Sequence, residues 1–179
     1  MQVQKRSGQL EDINIDKLHK VVQYACDGIT GVSPSEVEIN SQIQLYTGIT
    51  STDIQETLIK SAADLISEET PNYQYVAGRL INYHLRKQVY GRFAPPCLCD
   101  IIDKNVKKGD REVLISYTKD EIDELSNYIR HDRDEGLTYA AMEQFRGKYL
   151  VQNRATGEIF ETPQVAYTMI AMTLFSKYD

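Results

Sequence analysis

Lys5 and Arg6 stand side by side in Lys5-Arg6-Ser7-Gly8, and Asn14-Ile15-Asp16 follows shortly after. The first set reads as a turn between a short alternating run (Val3, Lys5) and a second short run from Leu10 to Ile13. The second set is an N-cap signal for a helix. Two cations at a turn beside a helix N-terminus suit the holding of a phosphate, because exposed backbone N–H groups and the helix dipole both favour an anion there. Lys17 and Lys20 add positive charge on the first turns of that helix. The same residues also fit a plain β-hairpin with surface lysines, in which Glu11 simply pairs with Lys17.

Other chemistry finds little support. His19, His84 and His131 have no metal-ligand spacing, and His84 in His-Leu-Arg-Lys reads as a packed helix histidine. Cys97-Leu98-Cys99 lacks the usual zinc-knuckle spacing and has no second Cys or His pair nearby, so no metal site is expected. Asp132 and Asp134 around Arg133 read as a solvated loop or an interface ion pair. No nucleophile, base and orienting group share a local motif, so no catalytic residue is expected.

The elements that position these residues are mainly helical. Leu18, Val21, Val22 and Ala25 form one apolar face over residues 16–27, and Gly28 stops that helix. Ser33-Pro34 opens a second helix running to about Tyr46, with Val37, Ile39, Ile43 and Leu45 inward and Gly48 at its end. A third covers 52–66, capped by Ser51 or Thr52, with Asp53 and Glu56 in its first turn and a stripe of Ile54, Leu58, Ala62, Leu65 and Ile66. Pro71 opens a fourth, through Tyr75, Leu80 and Leu85 to about Tyr90. Gly91 and Pro95-Pro96 then mark a domain boundary. Beyond it lie a short helix near 98–108 and a longer one from Thr118 to about Arg130, where Thr118-Lys119-Asp120-Glu121 has the form of a capping box. Tyr149–Gln152 and Glu158–Glu161 read as strands about a turn at 154–157. Residues 163–176 read as an apolar helix that needs something to pack on, a sign that the chain is a piece of a larger protein.

Composition sets outer bounds. The 179 residues carry a net charge of −6, which argues against a general nucleic-acid binder but allows a local basic pocket. No run approaches the ~18 apolar residues needed to span a bilayer, and the start has no apolar core of the signal-peptide kind. No membrane partner and a cytoplasmic location are therefore the expectation. Cys26, Cys97 and Cys99 do not suggest a disulfide framework.

The opening residues resemble an ATP-cone, the nucleotide-sensing domain at the N-terminus of the large (α) subunit of class I ribonucleotide reductases. That family begins with a hydrophobic residue, one spacer, Lys-Arg-x-Gly, and later Ile-Asn-x-x-Lys-Ile. Here those positions are Val3, Lys5-Arg6-Ser7-Gly8 and Ile13-Asn14-Ile15-Asp16-Lys17-Leu18. Thr50 to Ser67, Pro71 to Leu80, His84 to Pro96 and Lys148 to Gln164 are similar to consecutive blocks of the same subunit, in order. The resemblance implies an α+β but mainly α fold. Residues 1–95 would be a cone, a helical bundle capped by the N-terminal hairpin. Residues 96–179 would be an incomplete helical start of the catalytic domain with a second hairpin.

The resemblance also implies roles. Lys5, Arg6, Lys17 and Lys87 match basic residues around a triphosphate, and Tyr83 lies one turn before Lys87 on the same helix face. Glu11 and Asn14 match polar residues near adenine, and Ser51 a hydroxyl near the phosphates. Gln55 departs from the pattern. Many regulated members carry there a His tied to telling dATP from ATP, and Gln hydrogen-bonds but carries no charge. ATP or dATP with Mg2+ is the implied effector. The remainder of the α subunit and the small radical-generating (β) subunit are the implied partners, with self-association left open. The family's catalytic cysteines lie further along the subunit, and none of Cys26, Cys97 and Cys99 aligns with them, so this stretch alone is expected to be inactive. Two other readings stay in view. One is a degenerate cone that persists as a packing module. The other is the cone-bearing bacterial repressor, whose preceding zinc ribbon has no counterpart here.

Overall fold

The computed structural model of the chain describes residues 2–5, 8–42, 46–107 and 117–177. It divides into two compact units: Met1–His84 with Glu135–Glu143, and Leu85–Asp134 with Gln144–Asp179. Both are mainly helical, as the residue periodicity predicts.

In the first unit, β1 (Gln2–Gln4) pairs antiparallel with β2 (Leu10–Asp12) across the expected turn, Val3 opposite Glu11. The turn closes through the Lys5 N–H to the Gln9 carbonyl and the Gly8 N–H to the Lys5 carbonyl, both at 2.8 Å. Gly8 takes a φ of +84°, which costs a glycine nothing. A third strand that the sequence did not suggest, β3 (Ile49–Thr50), lies parallel to β1 and gives the order β2-β1-β3. Two residues are too few for alternation to register. Ile49 and its register partner Val3 are 1% and 4% exposed, which makes theirs the buried face of the sheet.

Helix α1 (Ile15–Cys26) starts on the Asn14 cap, whose side-chain oxygen accepts the Lys17 N–H at 2.9 Å. It buries Val21, Val22 and Ala25, with Leu18 half-buried. Helix α2 (Pro34–Gln42) buries Val37, but Ile39 is exposed and Ser41 is buried in its place. The helical period explains the exchange: position 41 returns to the face of 37, while 39 lies about 200° round. Ile43 and Leu45, the other inward candidates, lie outside the described residues.

Helix α3 (Ser51–Asp64) is capped by Thr50 rather than by Ser51 or Thr52. The Thr50 hydroxyl accepts the Asp53 N–H at 3.0 Å and donates to the Asp53 carboxylate at 2.7 Å. Thr50 ends β3 in extended geometry, the conformation an N-cap requires, so strand end and cap coincide. Ile54, Leu58 and Ala62 are buried as expected, whereas Ile66 lies beyond the helix and is exposed. Helix α4 (Tyr73–Tyr90) buries Val76, Ala77, Leu80 and Ile81. Each buried Val, Leu or Ile among them contributes about 1.5–3 kcal/mol, more than a surface ion pair. The core therefore sets the positions of these helices, and the charges decorate them.

The compact units divide inside α4, after His84, while Gly91 and Pro95-Pro96 follow the end of that helix. The first unit regains the chain at Glu135–Glu143, which holds most of α7 (Tyr139–Gln144).

The second unit has its own core. α5 (Leu98–Lys107) supplies Leu98, Ile101 and Ile102; α6 (Lys119–Ser126) supplies Ile122; α8 (Pro163–Phe175) supplies Val165, Met169 and Met172. The capping box is present: the Thr118 N–H donates to the Glu121 carboxylate at 2.7 Å, and the Glu121 N–H to the Thr118 hydroxyl at 3.4 Å. α6 nevertheless stops at Ser126, short of the expected Arg130. The second hairpin is reduced to one bridge, Gln152 with Ile159, about a turn at Gly157. Tyr149, expected in its first strand, closes instead a single wide turn, Phe145–Tyr149, in which the Leu150 N–H reaches the Phe145 carbonyl.

Candidate functional site: the hairpin and helix starts of the first unit

The hairpin and the start of α1 bring four of the candidate residues into one stretch of fold. Lys5 follows β1, Glu11 lies in β2, Asn14 caps α1 and Lys17 stands on its first turn. Val3 faces Glu11 directly, so Lys5 is its diagonal neighbour on the same sheet face. The Lys5 ammonium sits 3.2 Å from the Glu11 carboxylate. Glu11 therefore pairs across the hairpin with Lys5, where the sequence had suggested Lys17. Both side chains are partly exposed, so the pair is worth at most about 1 kcal/mol and exchanges readily for a stronger anion. Asn14 is committed through its oxygen to the cap. Arg6, the second cation of the turn, lies outside the described residues.

A second helix start belongs to the same unit. Ser51 opens α3 directly after the Thr50 cap and is partly exposed, and Gln55 follows one turn later. The Gln55 Oε1 is buried and has no hydrogen-bond partner among the described residues. An unmet buried acceptor is costly, by about 1–3 kcal/mol, and a donor arriving from a ligand would relieve it. The neighbouring Glu56 carboxylate stands 3.6 Å from Nε2 of His84, which is buried as its packed reading predicts. Tyr83 lies on α4 with its ring 6.3 Å from that of Tyr24. Lys87, four residues on, falls past the division and belongs to the second unit's part of the helix.

Three other titratable groups of this unit are tied into its fold. His19 Nδ1 lies 2.6 Å from the Glu38 carboxylate, linking α1 to α2. The Tyr73 hydroxyl donates to the Glu36 carboxylate, and burial together with that bond pushes it up to about 12. Burial pushes the Cys26 thiol up to about 11, which makes it inert at neutral pH. Among the described residues no group of three or more His, Cys, Asp or Glu is placed to hold a metal ion, and no helix is long and apolar enough to cross a membrane.

Residues 1–88 match the ATP cone domain family. Nearly the whole chain is 51% identical to ribonucleoside-diphosphate reductase 1 subunit alpha of Escherichia coli K12, over 98% of this chain and 23% of the relative. It is also 51% identical to the corresponding alpha subunit of Haemophilus influenzae, over 99% and 24%, and 42% identical to that of Enterobacteria phage T4, over 95% and 23%. The chain belongs with the N-terminal part of ribonucleoside-diphosphate reductase alpha subunits. It spans about a quarter of the length of the relatives it matches. The cone match ends within α4, near the point where the two units divide.

Two features of this alpha-subunit stretch were not found in the sequence. Asp134, expected in a solvated loop or an interface ion pair, is fully buried in a 3-10 turn, His131–Gly136. Within the second unit, Arg86 on α4 lies 3.6 Å from it and donates to the His131 carbonyl at 2.6 Å. Burial pushes the Asp134 carboxyl up to about 6, against the pull of Gln164 and Arg86, and burial lowers His131. Asp132 stays in solvent and pairs with Arg130. Nothing local tells Asp132 from Asp134, because the distinction is set by Arg86, far away in sequence. The other feature is the segment Glu135–Glu143, whose one sequence signal is Gly78, a glycine inside a helix.

Proposed function

We propose that the cone binds an adenine nucleoside triphosphate, ATP or dATP with Mg2+, and so tunes the activity of the reductase whose alpha subunit this stretch begins. The observation that carries this reading is the grouping of Lys5, Glu11, Asn14 and Lys17 on the hairpin and the first turn of α1, within an ATP cone domain. Lys5 and Lys17 supply cations for phosphate, and charge-assisted bonds of that kind are about twice as strong as neutral ones. Ser51 offers a hydroxyl at the start of α3, and the Gln55 oxygen offers an acceptor in need of a donor, which a ribose hydroxyl or the adenine amine provides. Mg2+ would be held through the phosphates, as is usual for a cation that keeps most of its waters.

Catalysis of ribonucleotide reduction belongs in this reading to the rest of the subunit, with the small radical-generating subunit as partner. Residues 1–95 would then be the sensing part and 96–179 the start of the catalytic part. Effector control requires that the ligand bind two conformations unequally, since only differential affinity shifts an equilibrium.

One observation favours a second reading. Lys5 is already neutralised by Glu11, and a cone whose cations are so used is a packing module with weak or no nucleotide binding. Thermal melts with Mg2+ and ATP, dATP, GTP or no nucleotide separate the two. Ligand at about a hundredfold over its Kd adds roughly 2.7 kcal/mol, a rise of several degrees for this size. A rise with the adenine nucleotides and little with GTP is the expected result. No rise with any of them would leave the packing module.

A further inference from the structure

The first unit is closed by a segment that arrives late in the chain, and the closure is built backbone on backbone. A Cβ at Gly78 of α4 would stand 2.1 Å from the carbonyl oxygen of Leu137. Glycine inside a helix costs roughly 0.5–1 kcal/mol relative to alanine; here it lets the segment lie directly on the helix. The next residue, Arg79, holds both sides of the seam. Its Nε donates to the Glu135 carbonyl at 3.2 Å, and its Nη1 donates to the carbonyls of Asp27 at 2.5 Å and Ala25 at 3.5 Å. The last two are carbonyls at the C-terminal end of α1, where a cation suits the dipole. The Tyr24 hydroxyl of α1 donates to the Glu135 carboxylate at 2.9 Å. Met142, on α7, is fully buried.

We propose that Glu135–Glu143 is a strap that the ends of α1 and α4 hold shut, and that its hold governs the order of the second-unit residues joined to it. Both junctions are helical. The 3-10 turn His131–Gly136 runs into the strap without a break, and α7 runs out of it into Gln144. Each junction is one continuous run of hydrogen-bonded backbone, and such a run gains or loses order as a unit. At the other end of α1 stand Asn14 and Lys17. A 12-residue helix therefore joins the candidate phosphate seat to the carbonyls that Arg79 reads. The hold is mainly polar, and polar seams of this kind open at lower free energy than apolar cores.

The test is amide hydrogen exchange on the full chain, its Gly78→Ala variant and its Tyr24→Phe variant. Gly78→Ala drives a methyl into the Leu137 carbonyl. Tyr24→Phe keeps the ring and removes the hydroxyl that donates to Glu135. In both, amides of 135–143 and of the adjoining 131–134 and 144–149 are expected to exchange roughly tenfold faster or more, while those of α2 and α3 stay within about twofold. Should Gly78→Ala fail to fold, Tyr24→Phe decides alone. Acceleration confined to 135–143, spread evenly over the first unit, or absent would overturn the proposal. A further arm adds Mg2+ and ATP, and this arm alone rests on the nucleotide reading. Protection of α1 and α3 that does not reach 135–143 counts against the strap and leaves nucleotide binding standing. ATP that protects nothing sinks the nucleotide reading and leaves the strap to the ligand-free comparison.

Discussion

The two units differ in how they bury charge. In the first, Lys5 with Glu11 and His19 beside Glu38 lie where water reaches them, buried His84 stands 3.6 Å from the partly exposed Glu56 carboxylate, and the helices rest on aliphatic side chains. The second has an exposed pair too, Arg130 with Asp132, but it also buries a guanidinium and a carboxylate together, Arg86 and Asp134, at the end of α4. Surface pairs cost little to break and little to rearrange. A buried pair fixes one geometry and is expensive to leave half-made. The first arrangement suits a surface that must exchange one anion for another, and the second a turn whose geometry is costly to change.

Breaking the buried pair is the largest expected effect. Arg86→Met leaves the Asp134 charge without its cation and is expected to destabilise the second unit by about 3–5 kcal/mol. Urea unfolding followed by segment-resolved exchange would show it, and an effect as small as that of a surface pair would erase the contrast. A change of pH sharpens the same comparison. The Asp134 carboxyl is raised by burial to about 6 in the folded chain. A raised carboxyl favours folding below its unfolded value, and that contribution is lost as pH climbs through about 6. Lowering pH from 7 to 5 is therefore expected to stabilise the parent by roughly 1 kcal/mol relative to Asp134→Asn. Melts at the two pH values check this, and parallel shifts in parent and variant would count against it. The smallest effect on stability belongs to the first unit. Glu11→Gln is expected to change it by less than about 1 kcal/mol while tightening ATP binding, because Lys5 is released for phosphate. Calorimetric titration reads the affinity, and weaker binding would assign Glu11 to the ligand.

What the sequence disclosed follows the range of the forces involved. Helix starts at Asn14 and Thr118 were legible because a cap and its amide lie three residues apart. The hairpin was legible because Gly8 and the flanking runs are local. The cap of α3 was placed late because Thr50 is also the end of a strand too short to see. Ile39 was assigned inward on its apolarity, although position 41 has the phase of Val37. Of the candidate site, the cations of the hairpin and α1 could be read from type and spacing, but their pairing could not, since it depends on strand register. The burial of Asp134 and the seat of Leu137 on Gly78 depend on partners more than forty residues away, beyond any local pattern.

The late strap also gives this stretch a timetable. Arg79 leaves the ribosome 56 residues ahead of Glu135, the carbonyl it is built to meet. At translation speeds of about 5–20 residues per second the wait is roughly 3–11 s. Throughout it, the bare backbone at Gly78 stands open on α4, and Arg79 can meet the α1 carbonyls of Ala25 and Asp27 while its Nε waits for Glu135. The cone thus begins life as a receptive surface, and its closure is an event in synthesis, timed by the chain that follows it.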